Sequence, residues 1–400
     1  LSKAILYNTY DNSPKTKQIV ASLQQAEQKI HLNGLIGSSL SFVVQSLFKK
    51  IETRGVAEQS AAKPFLLIFN DKEEAAYYLN DLEQMIGEQD VLFYPGSYRR
   101  PYHIEDTDNA NVLLRAEVLN RINSRKKPAI IVTYPEALFE KVVTRKELDK
   151  NTLKVAVGDK VSIDFINEVL FEYEFKRVDF ITEPGEFSVR GGIVDVFSFS
   201  NDNPYRIEFF GNEVDSIRSF DVETQLSIEK QKKITIIPNV ENKFFQENRE
   251  SFLEYINNQT IIFIQDTDLL FSKLDKLYAK ATDIFENLNA TVNHVAPEQL
   301  FLNQKEFVKK SHDFSIVELA SKPIYKTKIA FEFYIKPQPS FNKQFDLLLN
   351  NLNDNHFNGY KNYLFCSNDA QAKRFYDIFE SLDEENAENI CKQYNTIVLP

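Results

Sequence analysis

Four hundred residues with a formal net charge of −11, 43% hydrophobic and 26% charged, describe a globular protein of roughly two to four domains, not a disordered tail or a single core. No apolar run approaches the roughly 20 residues needed to cross a bilayer, and the N-terminus lacks the basic-then-apolar layout of a signal peptide, so the chain is expected in the cytoplasm with no membrane partner. The acidic balance argues against DNA binding by the chain as a whole, because sequence-independent affinity comes from Lys and Arg displacing counterions from phosphates.

In chain order, residues 14–134 alternate helical and strand patterns, the rhythm of a parallel α/β sheet. Ser13-Pro14 opens a helix through about Gln28. A short strand over 30–35 and a helix over 38–50 follow. The run 64–69, KPFLLIF with Lys63, reads as a buried strand, and Asp71-Lys72-Glu73-Glu74 has the capping-box spacing that starts a helix to Ile86. A strand over 91–93, a helix over 110–124 and a strand over 129–132 complete this part. The loop 94–107, YPGSYRRPYHIEDT, is rich in aromatics and arginine. Basic clusters stand at Arg99-Arg100, Arg125-Lys126-Lys127 and 230–233; taken alone, each reads as solvated surface charge before it reads as a phosphate contact.

Between the first strand and its helix lies Gly34-Leu35-Ile36-Gly37-Ser38-Ser39-Leu40-Ser41, where a phosphate-binding loop would sit. A working loop reads G-x-x-x-x-G-K-[ST], the second glycine closing the backbone around phosphates and the lysine offsetting their charge. Here Ser39 stands at that glycine and Leu40 at the lysine, leaving Gly34 and the Ser41 hydroxyl. The missing lysine removes a charge-assisted contact worth roughly 1.5–3 kcal/mol. The segment 261–268, IIFIQDTD, is the nearest likeness to a metal-holding strand end, without a helicase's paired acids. An ATPase is not expected in this chain.

From Lys141 the pattern changes to a short strand over 155–161, an amphipathic helix over 163–174 capped by Ser162, and an antiparallel meander over 183–220. Phe187 and Val189 alternate with Ser188 and Arg190, and Ile207 and Phe209 with Arg206 and Glu208, while Gly185, Gly191-Gly192, Asn203-Pro204 and Gly211-Asn212 supply the turns. If Ile207 and Phe209 face a core, Arg206 and Glu208 share the opposite face, with Arg190 likewise opposite Val189. After Gln225 strand and helix alternate again: strands over 234–237 and 260–264, a helix over 268–287, and two strands over 314–319 and 328–335 that could pair. Pro337-Gln338-Pro339-Ser340 reads as a linker, followed by a helix, a strand over 362–366, a helix and a strand over 396–399. The expected organisation is 1–139 and 226–336 as one α/β domain, 140–225 as an inserted α+β domain, and 337–400 as a further α/β domain, the whole the front of a longer protein.

RGGIVDVF at 190–197 followed by YRIEFFGNEVDSIRSFD at 205–221 resembles the signature of the second domain of bacterial transcription-repair coupling factors, the Mfd family, itself similar to the excision-repair helicase UvrB. The resemblance extends to VLFYPGSYRRPYH and IIVTYPEALFEKV. It implies a UvrB-like, P-loop-helicase-like parallel sheet with a degenerate nucleotide site, and an inserted domain that binds UvrA. Carried over residue by residue, the UvrA-contacting surface falls on Arg177, Arg190, Phe197, Arg206 and Glu208, the last two matching an R-x-E motif. Ser188 stands where UvrB has an arginine. The loop 94–107 corresponds to a DNA-contacting segment of UvrB. The family role so implied is recruitment of UvrA to RNA polymerase stalled at a lesion. ATP, magnesium, polymerase and duplex DNA are left to other domains of the longer protein, an ATP-dependent translocase, and a C-terminal inhibitory domain covers the UvrA face at rest. The alternative is a divergent UvrB-type helicase that itself uses ATP and grips damaged DNA.

Neither a disulfide framework nor a zinc site is indicated: Cys366 and Cys391 are the two cysteines, and His31, His103, His294, His312 and His356 lack ligand spacing.

Overall fold

The structure, a computed structural model, describes residues 2–57, 63–97, 102, 109–124, 127–144, 146, 152–199, 201, 203–237, 249–288, 295–366, 368–382 and 394–398. Two compact units emerge, one of Leu1–Ala21, Gly34–Lys50 and Tyr334–Pro400, the other of Ser22–Asn33 and Ile51–Phe333.

The second unit is built on a seven-stranded, wholly parallel sheet, confirming an α/β class. Its spatial order is Ile329–Glu332, Lys29–Asn33, Ser315–Glu318, Ile261–Ile264, Phe65–Ile68, Ile130–Thr133, Val91–Phe93. Phe65–Ile68, Ile130–Thr133, Ile261–Ile264 and Ser315–Glu318 are buried at every residue, which is why they read as continuous apolar runs and not as alternating ones. The helix Lys72–Ile86 begins where expected, with Asp71 accepting from the Glu74 amide at 2.8 Å, and it turns Ala75, Tyr78 and Leu82 inward.

Three expectations are corrected. The strands Ser315–Glu318 and Ile329–Glu332 do not pair with each other; each lies beside Lys29–Asn33, one on either edge. The helix from Pro14 stops at Leu23 instead of running to Gln28, and Glu27 takes a left-handed φ of 58°. Most consequentially, Lys233–Ile236 does not rejoin the parallel sheet; it pairs antiparallel with Leu153–Ala156, Ile234 opposite Val155.

Between Ile130–Thr133 and Ile261–Ile264 the chain forms a six-stranded sheet. The order is Ser227–Gln231, Glu213–Phe220, Tyr205–Phe210, Ile193–Val196, Glu186–Arg190 and Lys176–Arg177, antiparallel except for the last pair. Its inner face supplies Phe187, Val194, Val196, Ile207, Val214 and Ile217 to a core closed by Ile166 and Leu170 of the helix Ile163–Glu172 and by Ile234 and Ile236. The helix opens with Ser162 accepting from the Phe165 amide, as the sequence led us to expect. Gly185 has φ +86°, and a Cβ there would lie 2.4 Å from the Phe199 ring. Gly185→Ala is therefore expected to lower stability toward urea by about 2 kcal/mol, combining left-handed strain with overpacking.

In the first unit Asn362–Cys366 pairs in parallel with Tyr394–Val398, and the helices Phe345–Phe357 and Asp369–Leu382 meet around Leu349, Leu352 and Phe379, with Leu364 of the strand against them. Tyr10 stacks on Phe42 at 5.1 Å. Cys366 is buried, and burial pushes its thiol pKa up, as befits a core residue. No helix among the described residues is long and apolar enough to cross a membrane.

Candidate protein-interaction site

The meander's alternation places its charged residues on the sheet face opposite the core. Cross-strand register aligns them in rows: Ser188, Asp195, Arg206, Arg218 and Lys230 in one, Arg190, Ile193, Glu208 and Ser216 in the next. Asp195 organises the first row. Its side chain is 2% exposed and accepts from Arg206 Nε at 2.7 Å, from Arg206 Nη2 at 2.9 Å, and from Arg190 Nη2 at 2.5 Å. The fork of Arg206 is thus held bidentately, the geometry that suits guanidinium and carboxylate best. Its plane also lies over the Phe220 ring at 4.3 Å, and the Asp195 hydrogen bond raises its pKa. Arg206 is pinned with its side chain 18% exposed, whereas Arg190 stays 42% exposed.

Glu208 accepts from the Ser216 hydroxyl at 2.6 Å and pairs with Arg218. These bonds, Ser216 first, hold its carboxyl below the usual glutamate range against a smaller effect of burial. A depressed folded pKa stabilises the fold fully above about pH 5, and that contribution is lost as pH falls through the folded value. Glu208→Gln is therefore expected to be less stable than the parent at neutral pH, with the gap closing below about pH 4 in urea midpoints measured across pH.

Of the five residues assigned to the contact surface, Arg190, Arg206 and Glu208 share this face, and Arg177 is exposed on the edge strand Lys176–Arg177. Phe197 is corrected: alternation puts it on the same face as Asp195, but Ile181 and Phe220 cover it, leaving 6% exposed in a small second core. It supports the face from beneath and does not offer its ring to a partner. Among the exposed aromatics of this domain, which include Phe210, Phe180 is the one whose ring lies against a face arginine, 5.2 Å from the Arg190 guanidinium to the ring centroid.

The loop after Lys29–Asn33 is closed by its own side chain. Ser39 Oγ donates to the Ile36 carbonyl at 2.7 Å and accepts the Ile36 amide at 2.9 Å, so that amide is already engaged. Leu40 is buried, Ser41 is buried, and Gly34 and Gly37 carry the positive φ values of the turn, +82° and +56°. Asp266, in the stretch compared with a metal-holding strand end, caps the helix Thr267–Glu286 through the Leu269 amide. No cluster of three metal-ligating side chains occurs among the described residues. Within the aromatic–arginine loop, Tyr102 is described, donating to the Val295 carbonyl; Arg99 and Arg100 lie outside the described residues, as do Arg125 and Lys126.

Residues 153–242 match the family model of the UvrB interaction domain. The chain is 30% identical over 279 residues to the transcription-repair-coupling factor of Bacillus subtilis (strain 168), covering 70% of this chain and 22% of that protein. The chain carries a UvrB interaction domain and is related to transcription-repair coupling factors. It is 28% identical over 227 residues to the Myxococcus xanthus protein of that name (55% of this chain, 18% of the relative) and 25% identical over 225 residues to that of Escherichia coli K12 (56% and 18%). The matched region spans about a fifth of each relative's length. The whole charged face and both strands of the small sheet, Leu153–Ala156 and Lys233–Ile236, fall inside the UvrB interaction domain.

Sequence reasoning missed Asp195, the residue that holds the site together. Its signal is present in Ile193-Val194-Asp195-Val196, a lone acid between two core valines on a strand. Alternation turns that acid to the outer face, but the two arginines it binds come from neighbouring strands whose register the sequence does not state.

Proposed function

We propose that the UvrB interaction domain of this chain docks the excision-repair protein UvrA, and that the chain acts as a non-catalytic recruiting module in transcription-coupled repair. The observation that carries this reading is the match of residues 153–242 to the UvrB interaction domain, joined to an outer face on which arginines and carboxylates are held in fixed geometry. Guanidinium groups immobilised before contact lose little rotamer freedom on binding, which favours affinity. Arg190, Arg206 and Glu208 are the proposed contact residues, with Arg177 at the edge.

The parallel sheet is proposed to descend from a nucleotide-binding fold whose site has decayed. Supporting this are Leu40 at the lysine position and the Ser39 hydroxyl occupying the Ile36 amide. RNA polymerase, duplex DNA, ATP and magnesium are proposed as partners of the longer relatives' other regions, together with an inhibitory domain that covers the docking face at rest.

A pull-down of UvrA by the tagged chain, run beside a calorimetric titration with ATP and magnesium, tests both halves. Capture of UvrA with no saturable nucleotide heat is the expected result. Absence of capture removes the docking role, and saturable micromolar ATP binding favours a UvrB-type enzyme.

A further inference from the structure

Beside the charged rows, a groove of about 420 Å³ opens between the segment after Lys176–Arg177 and the end of Glu186–Arg190. Arg177 and Arg190 line it together with Val178, Phe180 and Val189, and with the polar Asp179 and Ser188. Phe180 is 65% exposed, an arrangement that leaves most of a phenyl ring in water. A ring placed so by a loose loop would mean little, but this segment is tied on both sides. The Val178 amide donates to the Phe187 carbonyl at 2.9 Å, and the Ser188 hydroxyl donates to the Asp179 carbonyl at 3.1 Å. Beyond Phe180, Glu186 accepts from the Thr182 amide and hydroxyl and from the Glu183 amide at 2.8–3.1 Å. Burial works to raise the pKa of Glu186, yet these bonds together lower it, so the tie is present at neutral pH.

The groove therefore sets apolar side chains beside two guanidinium groups that outnumber its one carboxylate, Asp179. Exposed aromatics beside arginines are the residue types that dominate interface energies once water is excluded from them. Arg190 is already neutralised on one side by Asp195 and lies over Phe180 on the other, so an incoming carboxylate would bind at its remaining exposed edge or at Arg177.

We infer that this groove is a separate anchoring pocket of the docking face, taking a segment of UvrA in which an acidic side chain lies next to an apolar one, and that Phe180 is its principal contact. The inference rests on the UvrA-docking reading above. Phe180 appears in none of the residues carried over from the family pattern; its exposure within the groove, against Arg190, is what marks it.

The test uses the full chain in binding measurements with UvrA. Phe180→Ala is expected to weaken binding by at least about tenfold, with an unchanged urea midpoint because the ring is largely outside the core. Binding equal to the parent's would overturn the pocket; if Arg206→Ala/Glu208→Ala still loses binding in the same series, the docking reading survives that failure. If the parent itself does not bind UvrA, both fall together. With p-benzoylphenylalanine in place of Phe180, irradiation is expected to cross-link a UvrA peptide carrying Asp or Glu within two residues of an apolar side chain. A basic peptide there would contradict the assigned chemistry.

Discussion

Asp195→Ala is expected to lower the stability of the chain toward urea by about 3 kcal/mol, at the lower end of what removing one partner from a buried ion pair costs. The carboxylate is 2% exposed and accepts from two arginines on two different strands. Without it, Arg206 remains stacked on Phe220 with Gln225 Oε1, at 3.3 Å, as its remaining neutral acceptor among the bonds described. The cost stays below the upper end because Arg190 is exposed enough to recover water. Asp195→Asn should behave similarly: an amide keeps the shape, but its NH₂ would face a guanidinium, donor against donor. Both variants should also weaken UvrA binding, since Asp195 fixes the direction of the two arginines without meeting the partner itself. Urea unfolding followed by circular dichroism measures the first effect.

A larger loss, about 3–5 kcal/mol, is expected for Arg115→Ala. Arg115 is fully buried in the parallel-sheet domain, where it donates to the carbonyls of Pro95 at 2.9 Å and Ala137 at 3.0 Å, faces Glu140 at 3.4 Å and lies over the Tyr94 ring at 4.4 Å. Glu140 in turn accepts from the amide and hydroxyl of Ser97. Alanine would take the guanidinium away from a buried carboxylate and one donor from each of two carbonyls, so the turn 94–97 should loosen with the loss of stability. Arg115→Lys should recover less than half, because one ammonium cannot span carbonyls on two segments as the planar fork does. The same urea experiment applies, and a change below about 1 kcal/mol would show that the cluster is dispensable.

Much of this was legible in the residues. Period-two alternation in Phe187-Ser188-Val189-Arg190 and Arg206-Ile207-Glu208-Phe209 assigned faces correctly, because a strand's side chains have no other choice once one set is buried. Asp71 and Ser162 marked helix starts because a side-chain oxygen two or three residues before free amides has a local partner. Pairing was not legible. Ile234 and Ile236 read as apolar strand residues, but whether they join a parallel sheet or meet Leu153–Ala156 depends on contacts some eighty residues away in sequence, as the register shows. The burial of Phe197 has the same origin. Its own strand turns it outward, and Ile181 and Phe220, from other elements, cover it. Phe180 was passed over for the converse reason: nothing local shows that an aromatic next to a turn will find no neighbour to bury it.

The most direct measurement is a calorimetric titration of UvrA into three proteins: the intact chain, the Arg206→Ala/Glu208→Ala variant, and an Ile217→Val variant. The last loosens the inner core by about 1 kcal/mol without touching the outer face. Saturable binding by the intact chain and by Ile217→Val, with none by the double variant, is the predicted result. Equal binding by all three, or no binding by the intact chain, would contradict it.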